Sequence, residues 1–170
     1  MDLAPFLPWL NLIHVLSAMA FILIHGFSGL IALRVRSERD RTRLAGLLDL
    51  SAGWLNWGFL ALATVLVSGI LAGIAGGWWT SGRLWIWASL IIFIAVGAAM
   101  TPLAGSYMEA ARHAVGMQSV MDRRRKQEAP PAADDVELER ILSSAKPVVT
   151  AVIGLGGIAV LTWLMMLKPF

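Results

Sequence analysis

The chain contains no cysteine, which excludes disulfides, thiolate metal sites and thiol nucleophiles together. Charge is also scarce, with Asp, Glu, Lys and Arg making up 15% of 170 residues, against about a quarter in soluble domains. Zinc-protease, Walker and nucleophile-elbow patterns are missing as well. The GLGG at 154–157 is no phosphate loop, because no strand precedes it and no lysine follows it.

What the chain has instead is apolar sequence, 58% of its residues being hydrophobic. No charge falls within 3–33, 50–82, 84–108 or 147–167. About 20 residues at about 1.5 Å rise cross the hydrocarbon of a bilayer, so each run is long enough to span as a helix. The runs show no alternation of apolar and polar residues, which disfavours a transmembrane barrel. The fold class expected is all-α, a four-helix transmembrane bundle forming one membrane domain over 1–170. Its spans are expected at about 8–33, 53–76, 84–108 and 147–167. The first run lacks a basic leader and is longer than a signal-peptide core, so it is expected to remain in the mature protein.

Five arginines lie in 34–43 and seven Lys or Arg in 112–146, leaving only Arg83 and Lys168 elsewhere. By the positive-inside rule, 34–52 and 109–146 are cytoplasmic, and both termini and the GGWWTSGR turn face outward. Trp9, Trp78, Trp79, Trp85, Trp87 and Trp163 then mark outer ends, while Trp54 and Trp57 mark an inner one. The topology suits a multi-pass protein of the cell membrane, of the bacterial cytoplasmic type. The basic cluster DRRRK at 122–126 reads as a topogenic patch facing lipid headgroups beside a span and not as a nucleic-acid site.

The soluble segments read as helical. Ala110, Ala114, Met117 and Met121 recur at helical spacing, which predicts that the third span runs on into the cytoplasm. APPAADD breaks that run, and Asp134 or Asp135 then caps a short helix with Leu138, Ile141 and Leu142 on its apolar stripe. Together these form a cytoplasmic helical hairpin. Leu44, Leu47 and Leu48 predict an amphipathic lead into the second span. Small residues let helices approach in lipid, and Gly69, Gly73 and Gly77, then Gly97, Thr101 and Gly105, then the 154–157 glycines are the expected packing faces.

Ionisable groups inside a span are functional candidates by default, and here they are His14 and His25. Eleven residues separate them by about 16.5 Å along a helix and about 20° around it. They share a face with Ala18, Phe21, Ser28, Gly29 and Ala32, whose small residues direct it toward the protein. Three readings stay open for these imidazoles: hydrogen bonds that fix packing, axial ligation of haem b, or a copper path with some of the eight methionines. His113, past the third span, is expected to pair with Glu109.

The opening WLNLIHVLSAMAFILIHGFSGLIALRVR resembles the first helix of small four-span membrane proteins that include HemJ-type protoporphyrinogen oxidases and copper-resistance-D-like proteins. In the HemJ type, a histidine early in helix one serves haem binding and activity, and His14 matches it by position. A lysine before leucine opens that family's third helix, where this chain has Arg83 and Leu84. Arginine stays charged and cannot act as a deprotonated amine. The resemblance therefore implies a haem- or metal-associated bundle more than porphyrinogen oxidation, with His14, His25 and Arg83 as cofactor-binding residues and His14 and His25 as metal ligands. Arg83 suits a propionate. The expected partners are the lipid bilayer and a membrane redox partner or a second copy of the chain. A non-catalytic membrane subunit or scaffold is the competing expectation, and no catalytic residue is assigned.

Overall fold

The computed structural model describes residues 3–79 and 82–170, and Thr80 and Ser81 of the GGWWTSGR turn lie outside them. Every regular element among the described residues is helical. A 3-10 turn at Ala4–Phe6 leads into α1 (Leu7–Ser37), followed by α2 (Arg41–Ala75), α3 (Leu84–Ala114), α4 (Val120–Arg125), α5 (Asp135–Leu142) and α6 (Lys146–Leu167). Backbone groups in hydrocarbon must find partners within the protein, and a helix supplies them inside one segment, which is why such runs become helices. Four helices are long and apolar enough to cross a membrane, the make-up of a multi-pass membrane protein. Large apolar side chains stay exposed along them, including Trp9, Leu23, Leu30, Ile91, Val152 and Met166, which is what a surface facing lipid would carry.

The helix boundaries have local causes. Pro8 sits in the first turn of α1, where its missing N–H would lack a partner anyway. Asp40 caps α2 by accepting the Arg43 N–H at 2.8 Å. At the end of α2, Gly77 has φ +62, and the N–H groups of Trp78 and Gly77 donate to the Gly73 and Ile74 carbonyls. That paired arrangement at a left-handed glycine closes a helix. Gly77 therefore ends α2 and is not a packing face, unlike Gly69 and Gly73.

The same device corrects the expectation of a continuous helix through Met121. Gly116 has φ +74, and the Met117 and Gly116 N–H groups return to the Arg112 and His113 carbonyls, so α3 stops at Ala114. Ser119 then starts α4 with a reciprocal cap, its hydroxyl accepting the Asp122 N–H while the Asp122 carboxylate accepts the Ser119 N–H. Asp134 caps α5 by accepting the Glu137 N–H. Pro102 lies inside α3 without ending it.

Contacts divide the chain into two compact units. The first takes in the described residues of 1–26, 56–97 and 155–170. Its centre is tryptophan-rich, with Trp85, Ile86 and Leu164 buried and Trp78 and Trp79 against them. The Trp79 indole donates to the Ile70 carbonyl at 3.2 Å and lies over Gly73, where a Cβ would come within 2.5 Å of its Nε1. Lys168 Nζ sits 5.1 and 5.3 Å from the Trp78 and Trp85 ring centres.

The second unit comprises 27–55 and 98–154. Ile31, Val35, Leu44, Leu48, Tyr107, Ala111, Leu138 and Leu142 are buried together there, with Leu47 and Ile141 packed against them. The stripes expected for the lead into α2 and for α5 are thus in the core.

Candidate functional site

His14 lies two turns into α1. Its Nδ1 is 3.0 Å from the Val65 carbonyl oxygen and 3.3 Å from Ser68 Oγ, both on α2. A carbonyl oxygen offers only lone pairs, so Nδ1 carries the hydrogen, and in the neutral ring Nε2 is the nitrogen with the lone pair. The Ser68 hydroxyl donates to the Thr64 carbonyl at 2.5 Å, which leaves its oxygen able to accept from the imidazole. The ring fits because residue 69 is glycine: a Cβ there would meet Cε1 at 2.9 Å and Nδ1 at 3.1 Å.

An open groove of about 320 Å³ runs beside this contact, lined by Leu10 and Ile13 of α1 and by Thr64, Val67, Ser68 and Leu71 of α2. It is apolar because the Thr64 and Ser68 hydroxyls are turned to backbone carbonyls. Its size is at the lower end of ligand sites, which run from about 300 to about 1,000 Å³.

His25 is on the same face of α1. It is half-buried, as are His14, Ala18, Phe21, Ser28, Gly29 and Ala32, while Leu16, Met19, Leu23 and Leu30 between them are exposed. The His25 ring stacks on Phe21 with centroids 5.2 Å apart, and it makes no hydrogen bond among the described residues. Arg83, immediately before α3, is exposed, and its guanidinium has no hydrogen bond or ion pair among them. His14, His25 and Arg83 are therefore not joined by any direct contact.

No family model, curated protein or solved structure matches the chain.

A second group of ionisable residues lies in the other unit. Glu109, His113 and Asp122 each place a ligand atom within 4.8 Å of the others, the spacing of a metal site. His113 pairs with Asp122 and not with Glu109: its Nε2 is 2.6 Å from Asp122 Oδ2, while Glu109 accepts from the Ser119 hydroxyl at 3.4 Å. Asp122 Oδ2 also accepts the Ser119 N–H at 2.8 Å. The His113 side chain first, and then that N–H, draw the Asp122 carboxyl down to about 2. This network engages the atoms a cation would need, and Arg123 to Lys126 add positive charge beside it.

Two arginines have roles that the charge count alone does not disclose. Arg112 is buried, and it donates to the Gln118 carbonyl at 2.8 Å, the Leu48 carbonyl at 2.9 Å and Asp49 at 2.8 Å. Arg41 donates to the Ala114 and Ala133 carbonyls and to Asp135. Between them they fasten the end of α3 to the start of α2 and to the segment before α5. In the sequence they resemble the other topogenic arginines. No local signal marks them, because the carbonyls they meet belong to other helices or to loops distant in sequence or across a turn.

Proposed function

We propose that this chain is a multi-pass protein of the cell membrane, with both termini outside, whose first helix binds haem b or a related small ligand for redox or haem handling. One observation carries the reading. The His14 Nδ1–H is donated to the Val65 carbonyl, the outer contact that ligating histidines make, which fixes the tautomer and aims Nε2. The residues present fit the group to that extent. Haem b, when bound, supplies one-electron chemistry at its iron.

The chain's part is to hold and orient. His14 Nε2 would hold the iron, the Val65 carbonyl would keep the ring in place, and the groove beside it would take an apolar part of the group. Arg83, whose guanidinium has no partner among the described residues, would offer its donors to a carboxylate such as a propionate. His25 is the second imidazole, about 16.5 Å further along the helix, so it would serve a separate group and not the same iron. A site of this kind implies a membrane redox partner or a second copy of the chain.

A second reading, a non-catalytic membrane subunit, is favoured by the fit of His14 against Gly69, a packing contact complete without a ligand. The deciding experiment is a reduced-minus-oxidised visible spectrum of the full chain purified from haem-replete cells, with haem and copper quantified. Sharp b-type bands that vanish in His14→Ala and persist in His25→Ala are the expected result. A colourless protein would overturn haem binding. Copper in its place, lost with the same substitution, would reassign His14 to a metal path.

A further inference from the structure

Seven cations of the 27–55 and 98–154 unit have internal partners among the described residues. Arg34, Arg39, Arg41, Arg112 and Arg140 each meet a carboxylate. Arg36 meets the Ser144 carbonyl and Lys146 the Ser106 hydroxyl. The cations left over are Arg43 and four consecutive ones, Arg123, Arg124, Arg125 and Lys126, all exposed. In the sequence Asp122 adjoins these four cations, a charge that would neutralise one of them if it faced outward with them. The fold removes that neutralisation, because Asp122 is buried at 9% exposure and its carboxylate is held by His113 and Ser119.

Position adds a second constraint. The charge-free run of α3 ends at Met108, which puts Glu109 at the edge of the apolar zone. The turn at Gly116 reverses the chain, so that Ser119 reaches Glu109 and Asp122 reaches His113. Thus α4 packs beside the last turns of α3, just past the end of its charge-free run. Successive residues of a helix are about 100° apart, so the three guanidiniums fan around α4. Met121, at 45% exposure, is its uncovered apolar side chain.

We propose that α4 is a docking surface for the headgroups of anionic phospholipids, with Arg123, Arg124, Arg125 and Lys126 binding phosphate and Met121 entering the interface. Guanidinium forks match phosphate oxygens in pairs, and clustered cations beside a span gain from an anionic leaflet. His113 and Asp122 act as positioning residues, holding α4 against α3 with its cations turned away. Bilayer phosphate is the occupant because the chain carries four helices able to cross a membrane, one of which is separated from α4 by five residues.

The absence of native cysteine makes the test direct. A single cysteine, M121C, carries an environment-sensitive fluorophore in the full chain, reconstituted in nanodiscs of phosphatidylcholine alone or with about one-third phosphatidylglycerol. The expected result is a blue shift and an about threefold fall in acrylamide quenching when phosphatidylglycerol is present, reversed in about 1 M salt, where the screening length is about 3 Å. R123Q/R124Q/R125Q/K126Q should lose the response, and R123K/R124K/R125K should keep most of it. The comparison of lipids with the native charges in place does not depend on the neutralised variant folding. Equal quenching in the two lipid mixtures would overturn the proposal. So would equal protection in phosphatidylcholine by inorganic phosphate, which points to a soluble anion, or by polyglutamate, which points to an acidic protein partner.

Discussion

Substituting Gly69→Ala puts a Cβ 2.9 Å from His14 Cε1 and 3.1 Å from Nδ1, where unstrained carbon contacts need about 3.5 Å or more. Relief requires the ring to retreat by about 0.5 Å. A retreat directed away from Val65 would stretch the 3.0 Å hydrogen bond to about 3.5 Å, at the limit of such a bond. Overpacking costs about 1–3 kcal/mol, and a hydrogen bond between membrane helices contributes about 0.6 kcal/mol. The expected loss is therefore about 2–3 kcal/mol. In a His14→Ala background the new methyl meets no ring, and the same substitution should be neutral or slightly stabilising, because alanine is favoured over glycine by up to about 1 kcal/mol in a helix interior. Reversible unfolding by sodium dodecyl sulfate in mixed micelles, followed through the tryptophans, gives the four stabilities of the cycle. Additivity within about 0.5 kcal/mol would refute the packing of His14 against Gly69, and with it the geometry that fixes its tautomer.

Arg112→Ala should lose about 3 kcal/mol, from two charge-assisted bonds to the Leu48 and Gln118 carbonyls at about 1.5 kcal/mol each. Asp49, whose side chain is 64% exposed, should add little. Arg112→Lys, with one compact ammonium in place of a fork, should recover less than half of that, as read from the same unfolding midpoints. For Asp122 the sign follows from its lowered carboxyl. A folded-state value of about 2, against the ordinary 3.8, adds stability that is full above about pH 4 and is lost as pH falls toward 2. The mobility of a spin label on M121C should rise over that window in wild type and be high throughout in Asp122→Asn. An unchanged spectrum down to pH 2 would show that the carboxylate does not hold α4.

The two sites differ in how much of them can be read from a string of residues. His14 and His25 stand out because imidazoles are rare in apolar runs, and helical spacing alone puts them on one face. The partner of His14 lies 51 residues away, and no local rule selects Val65 over its neighbours. The glycine that admits the ring was legible as a packing residue, but Gly77, in the same four-residue series, has a different role because the backbone turns left-handed there. For α4 the cations were plain in the sequence. What made them a surface was the inward turn of Asp122, set by His113 nine residues earlier across a reversal of the chain.

By itself the sequence determined the four long apolar helices, a cap at Asp134 or Asp135 and the faces that carry Leu44, Leu48, Leu138 and Leu142. These follow from composition, length and spacing over a few residues, the range over which helix hydrogen bonds and capping act. Only the tertiary structure decided that Arg112 reaches Leu48 and Asp49, more than 60 residues earlier, that Arg41 closes the end of α3, and that His14 gives its Nδ1 hydrogen to Val65. The His14 contact exists because Gly69 leaves room for the ring against α2, and the arginine contacts exist because long guanidinium side chains reach carbonyls and carboxylates of other segments. The distance of approach belongs to the packed pair and is not written in either segment alone.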